Sequence, residues 1–166
     1  VLPGRFIPVL EDSGHITKLD AFVNQTVQEA IARRHREGRK VLPVAVNLSR
    51  MDLMDDHFMK RIWDNLAEKK IPINMFHYEL TESAYADISD NGGRFLTNLQ
   101  KEGAKILIDD FGSGISSFST VRDYEFDIIK LDMGFVQLIG TSKKTDHILM
   151  SLIELAHRLD MKVIAE

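Results

Sequence analysis

Six polar residues stand in or at the ends of short apolar runs, and their types suit binding hard cations or stabilising anions. Asn47 closes the run from Val41 to Leu48, and Glu79 lies within Phe76 to Leu80. Asp109 and Asp110 follow Ala104 to Ile108, Lys130 lies within Phe126 to Leu131, and Glu166 follows Met161 to Ala165. Carboxylates with one amide oxygen, and no cysteine or paired histidines, are ligands for Mg²⁺ or Mn²⁺. The adjacent Asp109 and Asp110 suggest two ions with one carboxylate bridging. Cations about 3.5–4 Å apart clamp both oxygens of an in-line phosphoryl displacement and acidify a bound water. Lys130 would stabilise the developing charge or orient the hydroxide. Asp132, two residues on, falls on the same face of an extended chain and is a candidate on the substrate side.

Each residue also has a plainer reading. Asp109-Asp110 can cap the next helix, Asn47 can bond within a loop, Lys130 can be an ion-pair partner, and Glu166 can simply be solvated. The set argues against coincidence: successive apolar runs each deliver an oxygen ligand or a cation. Gly112, Ser113 and Gly114, with Ser116 and Ser117 just beyond, form a hydroxyl-rich turn beside the acidic pair. That turn reads both as the entry to a short helix and as a loop closing over the metals. The six histidines include no His-Glu-x-x-His pair, and the seven methionines read as core filler.

The apolar runs are too short for core helices and read as five strands. Helical periodicity fills the intervals: Thr17 to Glu37 with Leu19, Phe22, Val23, Val27, Ala30 and Ile31 inward; a helix from near Asp55; one after Asp90 stopped by Gly103; and Lys143 to Leu159 with Ile148, Leu149, Leu152, Ile153, Ala156 and Leu159 inward. Thr17 and Asp20 read as a capping pair, Ser117 to Arg122 as a short helical turn, and Val1 to Gly4 as a loop. Such alternation implies an α/β fold with a parallel sheet and right-handed crossovers. In a β/α barrel the carboxyl ends of the strands share one mouth, where active sites sit. A closed eight-strand barrel takes roughly 250 residues. The expectation is therefore a single domain over residues 1–166, a partial TIM-like (β/α)8 barrel with strands missing at both ends.

Composition sets the outer bounds. With 44% hydrophobic residues and 28% charged, the 166 residues can build a substantial core. A net charge of −4 argues against a general binder of DNA or RNA duplexes, and zero cysteines removes disulfides, thiolate zinc sites and cysteine nucleophiles. No apolar run approaches the roughly 20 residues of a membrane span. A cytoplasmic segment is expected.

Taken in order, Phe6-Ile7-Pro8, Glu11-Asp12-Ser13-Gly14, Val46-Asn47-Leu48-Ser49, Glu79-Leu80-Thr81-Glu82-Ser83, Asp109-Asp110-Phe111-Gly112-Ser113-Gly114, Ile129-Lys130-Leu131-Asp132 and Val163-Ile164-Ala165-Glu166 resemble the EAL family. The resemblance covers essentially the whole chain. It implies hydrolysis of cyclic-di-GMP to linear pGpG in bacterial signalling, with two Mg²⁺ or Mn²⁺ ions. By motif match, Asn47, Glu79 and Asp109 resemble ligands of one ion, and Asp109 and Asp110 ligands of the second. Glu166 resembles the acid that holds the second ion and its water, and Lys130 the lysine that contacts the attacking water. Glu82 is similar to the anchor of the loop Gly112 to Ser117, which in the family lies near a homodimer contact. A linked GGDEF or sensory domain, and a parent protein tethered to a membrane, are further possibilities of the family. The signature Glu-Ala-Leu is expected upstream of Val1. Ile115, Phe118 and Leu131 replace the usual tyrosine, leucine and isoleucine. The alternative is an inactive EAL domain serving as a cyclic-di-GMP receptor or regulatory module; an enolase-type barrel fits the Asn, Glu, Asp-Asp, Lys order poorly.

Overall fold

The structure, a computed structural model, describes residues 2–86, 88–112 and 117–165, without the side chains of residues 86 and 117–119. Eight helices and five strands run α1 (Pro3–Asp12), α2 (Ile16–Arg36), β1 (Val44–Asn47), a 3-10 turn (Asp52–Met54), α3 (Asp56–Glu68), a 3-10 turn (Ile73–Met75), β2 (Phe76–Thr81), α4 (Glu82–Ala86), α5 (Asp90–Lys101), β3 (Lys105–Phe111), α6 (Ser117–Asp123), β4 (Ile128–Leu131), α7 (Met133–Val136), α8 (Lys143–Arg158) and β5 (Lys162–Ala165) among the described residues. The strands form one parallel sheet in sequence order, β1-β2-β3-β4-β5. The chain divides into two compact units, Val1–Tyr78 with Ile88–Ala104, and Glu79–Asp87 with Lys105–Glu166.

In the first unit α2 packs on α3 and β1, and the turn Asp52–Met54 is wedged against α3 and α5. The core holds Ile31, Val46, Leu53, Phe58, Ile62, Leu66, Phe95 and Leu99. Trp63 meets Phe95 edge-on at 6.3 Å. Ser89 caps α5 by accepting the Gly92 N–H at 3.1 Å, and its hydroxyl donates to the Leu53 carbonyl at 3.0 Å. A glycine is needed at position 92, because a Cβ there would stand 2.7 Å from that same carbonyl oxygen.

The second unit is built on parallel strands. Leu107 and Ile108 of β3 pair with Ile128 and Ile129 of β4, and Ile129 and Lys130 pair with Val163 and Ile164 of β5. Asp127 clasps the amino ends of β3 and β4: its carboxylate takes Lys105 Nζ at 2.6 Å and the Ile106 N–H at 2.9 Å. Helix α8, started by Ser142 accepting the Thr145 N–H at 3.1 Å, crosses from β4 to β5 with Leu149, Leu152 and Ala156 buried.

Several expectations need correction. Val1 to Gly4 was expected as loop, but α1 begins at Pro3, where proline tolerates the first helical position because its missing N–H is unneeded there. Helix α2 starts without a Thr17 cap: His15 is the N-cap and makes no side-chain cap bond. Its inward face is Ile16, Asp20, Asn24, Gln28 and Ile31, while Phe22 is 68% exposed and Val23 is exposed too. Of the inward polar residues, the Asn24 amide donates to the Asp20 carbonyl one turn back at 3.0 Å, while Asn24 Oδ1 and both polar atoms of the Gln28 side chain are buried without a hydrogen-bond partner among the described residues. On α8, Ile148 and Leu159 are exposed rather than inward. Strand β3 runs on to Phe111, one residue beyond the aspartates expected to close it.

Gly92→Ala should destabilise the protein by about 1–3 kcal/mol, the usual cost of overpacking. Gly93→Ala, whose added Cβ meets nothing within 4 Å, should stabilise it by about 0.5–1 kcal/mol through helix propensity. Denaturant midpoints of the two variants check this pair of opposite signs.

Candidate functional site

Polar side chains inside parallel strands are costly unless paired, because such strands are usually buried on both faces. The second unit pairs them. Glu79 sits mid-strand in β2, Asp109 and Asp110 near the carboxyl end of β3, and Lys130 in β4, all half-buried between buried apolar neighbours. The Lys130 ammonium lies 2.9 Å from Asp109 Oδ1 and 3.6 Å from Glu79 Oε2. Exposure of the three side chains is 13% for Lys130, 13% for Glu79 and 18% for Asp109, so solvent screens them weakly. One ammonium facing two carboxylates leaves a net negative charge, which favours a further cation.

Strand β3 is irregular where its two aspartates stand. Its register with β4 shifts between Ile108 and Phe111, and Asp110 has φ +53°. A left-handed residue inside a strand interrupts the alternation that sends neighbours to opposite faces, and bulges of this kind recur beside active sites. Aspartate tolerates the conformation better than most residues. Asp109 Oδ1 accepts the Asp110 N–H at 3.0 Å, which helps to hold the irregularity. Gly112 follows with φ +97°, and a Cβ there would lie 2.8 Å from the Phe135 ring, so the close approach of α7 demands glycine.

The remaining expected positions fall as follows. Asn47 is the exposed last residue of β1, in the first unit. Glu82 is buried at the start of α4. The Asp132 carboxylate caps α7, accepting the Gly134 N–H at 2.8 Å. Ser113, Gly114, Ser116 and Glu166 lie outside the described residues, as does the side chain of Ser117. Among the described residues, no three histidine, cysteine or acidic side chains gather closely enough to hold an ion by themselves. Hard oxygen donors with excess negative charge nevertheless suit a divalent cation in kind. Sequence reasoning did not anticipate the Phe135 contact at Gly112, for which no local pattern gives a signal. It also missed the meeting of Asp20 with Asp52, although the four-residue spacing of Asp20, Asn24 and Gln28 puts a polar row on one helix face.

Comparison with known proteins adds a second line of observation. The family model described as EAL domain matches residues 1–166. The chain is 32% identical to cyclic di-GMP phosphodiesterase PdeR of Escherichia coli, over 99% of this chain and 25% of PdeR. It is 30% identical to cyclic di-GMP phosphodiesterase NbdA of Pseudomonas aeruginosa, over 99% of this chain and 21% of NbdA. It thus spans about a quarter or less of the length of these curated relatives. Among solved structures, the PaMucR phosphodiesterase in complex with c-di-GMP superposes with a TM-score of 0.85 at 25% identity, covering 99% of this chain and 67% of that one. The EAL domain of Mycobacterium smegmatis DcpA does so with a TM-score of 0.72 at 27% identity, covering 85% of this chain and 64% of that one. No helix among the described residues is long and apolar enough to cross a membrane.

Removing the shared ammonium should expose what it holds. Lys130→Met is expected to destabilise the metal-free protein by about 3–5 kcal/mol, the cost of stranding buried charge. Lys130→Arg, which keeps the positive charge, should retain most of the stability. Urea denaturation in EDTA distinguishes the two.

Proposed function

The chain belongs to the EAL domain family, and from that premise we propose that the protein carrying it hydrolyses cyclic-di-GMP to linear pGpG in bacterial signalling, using divalent Mg²⁺ or Mn²⁺. The observation that carries this reading is the Lys130 ammonium shared by Glu79 and Asp109, in a family that includes relatives named cyclic di-GMP phosphodiesterases. Water adds to phosphorus, one of the two phosphodiester bonds of the ring breaks, and the leaving 3′ oxygen takes the proton that water gives up.

Glu79, Asp109 and Asp110, with Glu166, are the oxygen donors that would hold the ions. Paired divalent cations, when bound, lower the pKa of water and neutralise phosphoryl oxygens. The expectation for Asn47 rests on its motif and its place at the end of β1. Asp109 and Glu79 fix Lys130 Nζ in advance, so the ammonium meets negative charge developing on phosphate and attacking oxygen without first being reoriented. The motif match gives Glu82 the role of anchor for the loop from Gly112 through Ser113, Gly114 and Ser116 to Ser117; burial of Glu82 at the head of α4 suits a fixed support. Asp132, spent as a helix cap, is assigned a supporting part beside the substrate rather than proton transfer. A homodimer, a linked GGDEF or sensory domain and a cytoplasmic location complete the reading.

Full-length protein with Mn²⁺ should convert cyclic-di-GMP to pGpG, and EDTA should stop it. Asp109→Asn and Lys130→Ala should each lower kcat by roughly 100-fold or more. Undiminished turnover in both variants would overturn the assignment, and tight binding without turnover by the wild type would favour the receptor.

A further inference from the structure

Helix α2 turns a polar row into the first unit: Asp20, Asn24 and Gln28, spaced four apart, are all buried. The first of them meets Asp52, whose side chain hydrogen-bonds to it from the 3-10 turn after β1. Asp52 is 0% exposed and Asp20 is 8% exposed, so both acids are out of water. Asp52 is also tied twice to Ser49: its Oδ2 accepts the Ser49 N–H at 2.7 Å, and its own N–H donates to Ser49 Oγ at 3.2 Å. The Thr17 side chain, also on α2, faces Asp52, whose Oδ1 is buried and takes no hydrogen bond from an N–H or hydroxyl among the described residues. A buried acid therefore closes the turn that leaves β1, and a second buried acid on α2 grips the first.

Two carboxylates meeting in a buried site do not both ionise readily; one keeps its proton and donates it to the other. Burial first, then the hydrogen bond and charge of Asp52, with Glu11 of α1 adding to them, raise the Asp20 pKa to about 8, while Ser49 pulls the other way. Burial also raises the Asp52 pKa, but hydrogen bonds from Asp20, Ser49 and Thr17 oppose it. Both acids are therefore raised above the usual carboxylate range, and the pair holds one proton between its two carboxylates. The groups facing the pair are Glu11 from α1, Thr17 from α2 and Ser49 from the turn.

We propose that Asp20 and Asp52 share one proton and thereby lock the turn Ser49–Asp52 onto α2, acting as positioning residues for the carboxyl end of β1 that carries Asn47. The proton-sharing pair stands independently of the phosphodiesterase reading; its bearing on Asn47 as a metal ligand rests on that reading.

Folding makes the pair take up a proton, because an unfolded aspartate titrates near 4. Stability from the pair is therefore complete below about pH 4, declines as the pH rises, and is lost as it passes about 8. The test uses full-length protein in EDTA, with thermal midpoints from about pH 5 to pH 9 for the wild type, Asp20→Asn and Asp52→Asn. The wild type should lose its advantage over Asp20→Asn steadily across that window; a constant difference overturns the proposal. Should the variants not fold, infrared titration of the wild type decides. A protonated carboxyl C=O band at neutral pH that disappears in alkali supports the pair, and its absence at neutral pH overturns it. For the positioning role, Asp20→Ala should raise the Mn²⁺ concentration for half-maximal turnover roughly tenfold, and Asp20→Asn should largely restore it. An unchanged Mn²⁺ dependence in Asp20→Ala refutes that role. The pH signature without any hydrolysis by the wild type would leave the pair standing and remove the phosphodiesterase reading instead.

Discussion

Opposite charge held out of water is the constraint around which the second unit is arranged. Strands β3 and β4 are lined with Ile106, Leu107, Ile108, Ile128 and Ile129, and a carboxylate or ammonium among them must find a partner or remain neutral. The ammonium of Lys130 supplies that partner for Asp109 and Glu79 at once. The arrangement is poor as a source of stability, since desolvating three charges costs about as much as their attraction returns. It is good as a site, because excess negative charge and a fixed cation stand together where a strand loses its regular pleat. Hard oxygen donors and a preset ammonium are what phosphate chemistry requires.

Both units contain clustered acids, and they resolve the repulsion differently. At β3 and β4 a side-chain cation intervenes. Between α2 and the turn after β1, a shared proton does, because burial raises both Asp20 and Asp52 above the usual carboxylate range. The first solution pairs the carboxylates with an ammonium; the second neutralises one acid and turns the contact into a structural hydrogen bond. Acidic residues of the same type thus acquire opposite tasks from their surroundings alone.

Much of this was legible in the sequence. The five strands stood out as short apolar runs, and Glu79, Asp109 and Lys130 stood out because ionisable residues are unusual there. Their boundaries were less clear: Asp109 and Asp110 read as the end of a strand that in fact continues through them to Phe111. Helix α1 was hidden by Pro3, Gly4 and Pro8, residues that ordinarily signal loops, and α4 and α7 are too short to show a helical period. The face of α2 was misjudged because hydrophobicity turned Phe22 inward, whereas Asp20 is drawn inward by an acid 32 residues away that no local pattern reveals. Distances among the charged groups, and which carboxylate lies nearest the ammonium, depend on strand register and could come only from the fold.

The proposed function requires a cation site at the carboxylates beside Lys130. Equilibrium binding of Mn²⁺ to the full-length protein, compared between wild type and Asp109→Asn, reads it without relying on turnover. The substitution should weaken the tightest Mn²⁺ binding by at least roughly tenfold. Identical affinity in the two proteins would remove the cation site.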